Sequence, residues 1–473
     1  MVSIMRCISF SEPILIIKML KYNRYTFWVL LFTTIVFTCT VFNISKWRRN
    51  LVINNDAVSY YSYLPAAFIY KDLHFKFTDS LPDDFEGRIW FQTTQDGFRV
   101  QKMTMGMAVL YSPFFFIAHA IAGISDYKAN GYSEIYSMLI CFAGLFYGLL
   151  GLIILSKILL HFFSDKIVAI TILSIAFGTN FFFYVTNEGE MSHSFSFFLF
   201  SLFLYYSLRW NEQQTLTNTL LIGLTGGLIV LVRPSNIIAF LIPFLIGVSN
   251  FETLKSKFFL LFKHWWQIII IVLLVFLIFS PQLFYWKSIT GNWVFYSYGD
   301  EGFFFNKPQL INGLFSFRKG WLIYTPLMIL SLIGIPMLYA KLRNFSIAIT
   351  LFVVINIYIV FSWWSWWYGG GFGARSLIES YVFLSIPLAV FYNYIFKKKV
   401  LIRVVAGILL FLLISLNLFQ TLQYRRTIIH WDSMTKEAYW TVFGKLKFPK
   451  NYKELIQTPD YENALKGMEE RSE

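Results

Sequence analysis

The chain has 473 residues, of which 57% are hydrophobic, 20% aromatic and only 14% charged, with a mean hydropathy of +0.57. This composition excludes an ordinary soluble globular domain, and repeated apolar runs of about 20 residues fit an all-α, polytopic transmembrane helical bundle. The formal charge of +14 raises nucleic acid as a partner, but Lys and Arg cluster in short loops between apolar runs, as in cytoplasmic loops, so membrane lipids are expected as partners and no nucleic acid.

The three cysteines, Cys7, Cys39 and Cys141, show no paired spacing, so neither a disulfide framework nor a zinc site follows. The first 18 residues are expected to contribute little to the fold. No cleaved signal is expected, because the first apolar run is too long and no small-residue cleavage pattern follows it. The first span runs from about Thr26 to Ile44, and Lys18, Lys21 and Arg24 before it predict a cytoplasmic N-terminus.

A large extracytoplasmic loop follows over residues 45–104. It holds Asp56, Asp72, His74, an acidic patch of Asp79, Asp83, Asp84 and Glu86, then Arg99 and Lys102. The next apolar run, Gly106 to Gly123, is broken by Pro113 and His119, and two readings stand. If it spans, Lys157, His161 and Lys166 fall outside; if residues 105–123 lie in the interface or re-enter, they fall inside. Charge asymmetry favours the second reading. Further spans are then expected near Ile135–Leu155, Ile167–Val185, Phe195–Leu208, Thr219–Val232, Ile237–Val248, Trp266–Leu283, Trp321–Ala340, Ile347–Trp363, Leu377–Phe396 and Leu401–Phe419. With the first, that makes about eleven helices. Inner loops collect Lys255, Lys257, Lys263, Lys341, Arg343 and Lys397 to Lys399. Residues 1–420 read as one transmembrane domain and 421–473 as an extracytoplasmic tail carrying His430 and Asp432.

The candidate chemistry gathers on the outer side. Asp56 stands in Asn54-Asn55-Asp56-Ala57-Val58-Ser59-Tyr60-Tyr61-Ser62-Tyr63-Leu64-Pro65, just past a membrane exit where water keeps a carboxylate ionised and tyrosines suit the interface; a solvated loop acid is the plainer reading. Glu188, Glu190 and His193 sit where one span ends and the next begins, a costly place for charge. A solvated turn competes there, and the spacing matches no strong metal signature. Arg233, followed by Pro234, calls for an anionic partner, and its planar donor fork suits phosphate, whereas the plainer reading is an arginine snorkelling at the membrane edge. In Tyr368-Gly369-Gly370-Gly371-Phe372-Gly373-Ala374-Arg375 the glycines let backbone N–H groups approach an anion, beside Arg375; a tight turn is the alternative. Trp363, Trp364, Trp366 and Trp367 before it read as interfacial anchors. The loop from Tyr285 to Gly320, with Asp300 and Glu301, suits either a sugar or lipid headgroups.

These stretches resemble the GT-C superfamily of membrane glycosyltransferases, with protein O-mannosyltransferases and the lipid A aminoarabinose transferase as relatives. The resemblance covers most of the chain to about Phe419. It rests on Asp56 with Tyr60 to Pro65, the Lys102 to Pro113 segment, Met191-Ser192-His193, Leu231-Val232-Arg233-Pro234-Ser235-Asn236 and the run Phe315 to Pro326. It implies an inverting transferase in a bacterial cytoplasmic membrane. Such an enzyme moves a sugar from a polyprenyl-phosphate-linked donor to an extracytoplasmic glycan, lipid or protein. The family's first-loop aspartate, the catalytic base, falls on Asp56, and a second acidic position on Glu188 or Glu190. Lys102, Arg233 and Arg375 are the candidate donor-phosphate ligands, and Tyr60, Tyr61, His193, Asp300, Glu301 and Tyr368 the candidate substrate contacts. Family members often carry two acids in the first-loop motif; here Asn54 and Asn55 precede a single Asp56, which puts dependence on a divalent metal ion as cofactor in doubt, because one carboxylate holds such an ion poorly. A transporter or flippase of a lipid-linked saccharide is the rival, although no repeat is evident and no ATP-binding motif is present; a non-catalytic membrane scaffold is the third reading.

Overall fold

The computed structural model describes residues 23–80, 89–94 and 96–468. The first 18 residues, with Cys7 and Lys18, and also Lys21, Asp83, Asp84 and Glu86 lie outside them. Long helices dominate: α1 (Arg24–Ile44), α2 (Gly106–Gly123), α3 (Glu134–Leu160), α4 (Asp165–Phe177), α5 (Ser192–Glu212) and α6 (Leu216–Val232), then α7 (Phe251–Lys263), α8 (Trp265–Thr290), α9 (Met328–Lys341), α10 (Arg343–Val360), α11 (Tyr381–Ile395) and α12 (Val400–Arg425). The β structure among the described residues is one two-stranded antiparallel ladder, with Gln92 opposite Val100, plus an isolated bridge between Phe303 and Trp363. Among the described residues, seven segments are long and apolar enough to cross a membrane, including Arg24–Arg49, Gly106–Gly123, Glu134–Leu160 and Val400–Arg425, and three shorter apolar helices accompany them.

Polar contacts sort the helix ends into two groups. The α1 start is tied to the α4 start, where Thr26 N donates to Asp165 Oδ1 at 2.9 Å. His161, just past α3, lies 3.8 Å from Glu212 at the end of α5. Trp210 Nε1 donates to Gln267 near the start of α8, and Gly247 N to Asn344 O at the start of α10. Lys341, ending α9, is close enough to feel the charge of Lys397. One end of the bundle therefore collects Arg24, Lys157, Lys166, Arg209, Lys255, Lys263, Lys341, Arg343 and Lys397 to Lys399 against Asp165, Glu212 and Glu252. At 1.5 Å per residue α1 is about 32 Å long, so its far end, Ser45, is a hydrocarbon thickness away. The candidate site lies at that far end.

Helix α2 is itself one of these seven segments and packs along α3. Its first residue packs on the far end of α6, where a Cβ on Gly106 would sit 2.4 Å from Val232 N. From there it runs antiparallel to the first half of α3. Tyr147 Oη donates to Leu110 O at 3.2 Å, Phe114 meets Phe146, and His119 Nδ1 is 2.6 Å from Tyr136 Oη.

Several expected spans are broken. The stretch expected as Ile167–Val185 is interrupted between α4 and a short helix, Phe181–Thr186, and the break is held by Asn180, which donates to Phe372 O and accepts from Tyr381 Oη at 2.7 Å. Trp321–Ala340 is cut by Thr325-Pro326 into Trp321–Tyr324 and α9, since proline removes a donor and clashes with the preceding turn. The stretch Ile237–Val248 is covered by a 3₁₀ turn, Pro234–Phe240, and a five-residue helix, Leu241–Leu245, where Pro243 removes a ladder donor. Lysines expected in an inner loop instead ride on α7. Its Phe251, Leu254, Phe258 and Phe262 recur at helical spacing, and its Lys257 is buried against Asn211.

A close backbone approach fixes the turn before α5. A Cβ on Gly144 of α3 would lie 1.9 Å from Gly189 O, whereas one on Gly123 meets nothing within 4 Å. Gly144→Ala is expected to cost about 1–3 kcal/mol of stability through overpacking. Gly123→Ala should be close to neutral, and paired thermal unfolding curves in detergent would separate the two.

Candidate active site

Asp56 opens a six-residue helix, Asp56–Tyr61, and the residue before it is strained: Asn55 holds φ 46° and ψ −130°. That is a left-handed conformation for a side-chain-bearing residue, and it costs about 1–3 kcal/mol unless its surroundings enforce it. Here Trp90 Nε1 donates to Asn55 O at 3.0 Å, and Ala57 N donates to Asn54 O. The outcome is a carboxylate standing off the helix start with its side chain 30% exposed. Tyr60, one turn on and on the same face, is buried. Burial pushes its phenol up from the ordinary value, with the Asp56 charge adding to that, so it remains a hydrogen-bond donor.

The partner of Asp56 comes from the glycine-rich loop. Arg375 Nη2 lies 3.1 Å from Asp56 Oδ2. The loop that delivers it carries positive φ at Tyr368 (55°), Gly369 (61°) and Gly373 (61°). A Cβ at Gly371 would meet Tyr184 Oη at 2.6 Å and Arg375 Cδ at 3.2 Å, so the guanidinium stem runs directly over that glycine. Tyr184 Oη accepts from Phe372 N at 2.9 Å, and the buried Lys319 donates to Gly371 O. Glu188 stands within electrostatic reach of Tyr184, Lys319 and Tyr424 on this side.

A second ion cluster lies beside the first. Arg233 ends α6, and Pro234 stops the helix there. Its Nη1 is 2.9 Å from Glu379 Oε1, while Glu379 Oε2 is 3.5 Å from His193 Nδ1. Glu379 and His193 are 3% and 1% exposed in their side chains, whereas Arg233 is 26% exposed. Arg233 therefore has a buried anionic anchor on one side and an accessible face on the other. Tyr60, Tyr298 and Tyr368 link the clusters: Tyr298 senses Tyr60, Arg233 and Asp56, and Tyr368 senses Arg233 and Glu379. Burial raises the phenols of Tyr298 and Tyr368, which keeps them protonated donors.

Among the sequence-derived candidates, Asp56, Tyr60, Glu188, His193, Arg233, Tyr368 and Arg375 thus gather in one region. Others are set apart. Glu190 is buried and pairs with Lys46 just past α1; burial pushes its carboxyl up, opposed by that lysine. Tyr61 is enclosed and donates to Gly131 O, a packing role. Lys102 is bound to Glu301, which also accepts from Trp364 Nε1 at 3.1 Å, and Lys102 lies 5.1 Å from the Tyr298 ring. The Gln101–Met105 segment is stapled by Tyr285, Ser59 and Gln282. Asp300 is exposed. Trp366 and Trp367 are core residues, 2% exposed each, not interfacial anchors: Tyr461 packs on Trp367, and Arg318 covers it at 5.8 Å. Glu379, Tyr298 and Tyr184 were not singled out in the sequence, and Lys319 entered only within the loop Tyr285 to Gly320 and the run Phe315 to Pro326; a lone carboxylate inside the apolar run Leu377–Phe396 was the signal for Glu379.

The C-terminal tail is docked over the glycine loop. A Cβ at Gly370 would sit 3.3 Å from the Trp431 ring. Arg318 donates to Asp432 O at 2.7 Å and to Gln457 O, and Asp432 is buried, accepting from Ser433 and Tyr461. Its role there is to hold the tail.

The residues present do not suit a resident divalent metal. Among the described residues no three His, Cys, Asp or Glu side chains converge, and the guanidinium of Arg375 already occupies the cation position beside Asp56.

No protein-family description matches the chain, and no curated protein matches it. Among solved structures it is similar to the crystal structure of the Archaeoglobus fulgidus oligosaccharyltransferase in the apo form, with 14% sequence identity and a TM-score of 0.47. The similarity covers 84% of this chain and 54% of that one, so the chain spans about half the length of that protein.

Lys319 gives the site a measurable signature. Burial, reinforced by the Arg375 charge, lowers its pKa from 10.5 to about 7. Above about pH 7 the folded lysine is neutral while the unfolded one still holds its proton up to about 10.5. The desolvation cost is thus fully present below pH 7 and fades as pH rises toward 10.5, so stability climbs across that window. Lys319→Met should lack this climb, so the difference between wild-type and variant melting profiles should change across that window, and parallel profiles would refute the assignment.

Proposed function

We propose that the chain is a membrane glycosyltransferase of the GT-C type. In this reading it takes a sugar from a polyprenyl-phosphate-linked donor and hands it to an extracytoplasmic glycan, lipid or protein. The observation that carries the reading is the half-exposed Asp56 carboxylate, standing next to Arg375 and the Arg233–Glu379 pair at the end of the bundle opposite the basic loops. The basic end is then cytoplasmic, in a bacterial inner membrane, and the site and the tail are extracytoplasmic.

The chemistry follows from what each group can do. An acceptor O–H attacks the anomeric carbon and gives its proton to Asp56 as the new C–O bond forms. The bond from the anomeric carbon to the phosphate oxygen breaks, and the lipid phosphate leaves with the electron pair. Arg233 supports that departure: its fork offers donors to the developing phosphate charge, while Glu379 behind it keeps the guanidinium fixed. Arg375 orients Asp56, and the neutral phenol of Tyr60 supplies a donor to a sugar or phosphate oxygen. Glu188 is the better second acid than Glu190, which is spent on Lys46. Attack opposite to the leaving phosphate gives inversion.

The test uses cells carrying the wild-type gene, Asp56→Asn or no copy, with polyprenyl-phosphate lipids and surface glycans compared by mass spectrometry. Asp56→Asn should lower transfer by about 10²- to 10⁴-fold, the range for a general base, without changing expression. It should accumulate the same sugar-phospholipid as the deletion and lose the same glycan modification. If Asp56→Asn matches wild type while the deletion does not, catalysis through Asp56 fails and transport of a lipid-linked saccharide becomes the better account.

A further inference from the structure

At the basic end, far from the site, α7 and α8 meet at His264 and enclose a groove of about 360 Å³. Its walls are wholly apolar: Phe258, Leu261 and Phe262 from α7, and Ile268, Ile269 and Leu273 among those from α8. These side chains are not sparing exceptions on a polar surface, since Phe258 is 71%, Phe262 71% and Leu273 59% exposed. In a membrane protein such a surface faces acyl chains.

Charge identifies the occupant. The polar edges of α7 carry Lys255 and Lys263, both exposed, and among the described residues neither has an ion-pair partner. Lys257 is not available, being buried with its ammonium on Asn211 and Ile246 O. Nearby, Gly247 N bonds to Asn344 O, which brings the Arg343 turn to the same level. A helix with phenylalanines along one face and free lysines at its edges lies in the headgroup plane and attracts anionic lipid.

We propose that the α7–α8 groove is a binding site for an anionic phospholipid of the adjacent leaflet. Its acyl chain lies between Phe262 and Leu273, and its headgroup is held by Lys255 and Lys263. The inference is independent of the transferase reading, because the groove shares no residue with the Asp56 cluster.

The full-length protein would be reconstituted in nanodiscs of phosphatidylcholine with phosphatidylglycerol, released in the gas phase, and its retained lipids identified by native mass spectrometry. Wild type should retain phosphatidylglycerol over phosphatidylcholine by about tenfold. Lys255→Gln with Lys263→Gln should abolish the preference while keeping some lipid of either kind. Leu273→Trp, which fills the groove, should lower retention of both. Equal retention of the two lipids by wild type, or an unchanged preference in the lysine variant, overturns the headgroup assignment. Retention unaffected by Leu273→Trp, a second copy of the chain in place of lipid, or a polyprenyl phosphate retained there instead overturns the groove assignment.

Discussion

The contact between Asp56 and Arg375 joins residues 319 positions apart, and most of the site's local structure exists to make it possible. The pair itself cannot hold the fold. With Asp56 30% exposed, an ion pair of this kind is worth at most about 1 kcal/mol after screening. Dependence runs the other way: packing determines where the two charges stand. On one side, Trp90 and Asn54 enforce the strained Asn55 that turns Asp56 out of its helix. On the other, Lys319, Tyr184 and the absence of a side chain at Gly371 shape the loop that carries Arg375. A carboxylate held in place by buried groups, yet open on one side, is what proton transfer requires.

Glu379 follows the opposite logic. It is almost wholly buried, and an isolated carboxylate there would be neutralised by protonation. Arg233 offsets the desolvation cost, and His193 sits close enough to share the anion. Because Arg233 is itself partly exposed, the pair gives the site a cation whose stem and one face are fixed and whose other face is free. The two ion pairs thus divide the work by burial. One leaves its acid accessible, the other its base.

Much of the architecture was legible in the sequence, because hydrocarbon thickness and loop charge leave a direct trace. The apolar runs gave the long helices, the lysine-rich loops marked the basic end, and the Asp56 and Arg233-Pro234 stretches named residues that the structure places near each other. What was missed has physical reasons. Asn180 breaks a span using a side chain that finds its partners, Phe372 and Tyr381, nearly 200 residues later, so nothing local announces the break. The tryptophans near Trp366 read as interfacial anchors because their burial is supplied by the tail, through Tyr461. Glu188 and Glu190 are chemically alike two residues apart; only Lys46, arriving from the end of α1, separates them. Helix α7 was readable, since its phenylalanines recur at three and four residues, but its lysines drew the reading toward a loop.

Strained backbone flanks both charged arms of the site. Among the described residues, few non-glycine positions hold positive φ, and two of them, Asn55 and Tyr368, sit immediately before Asp56 and before the glycine run leading to Arg375. Neither is a residue type chosen for comfort there: glycine at Asn55 would relieve the backbone at once. Retaining asparagine and tyrosine there costs about 1–3 kcal/mol each. Tyr368 uses its hydroxyl to tie the loop back to Val360 O at 2.9 Å, and its ring faces Arg233 and Glu379. The two strained residues therefore belong to one arrangement. They bring the acid of the first loop and the guanidinium of the glycine-rich loop together.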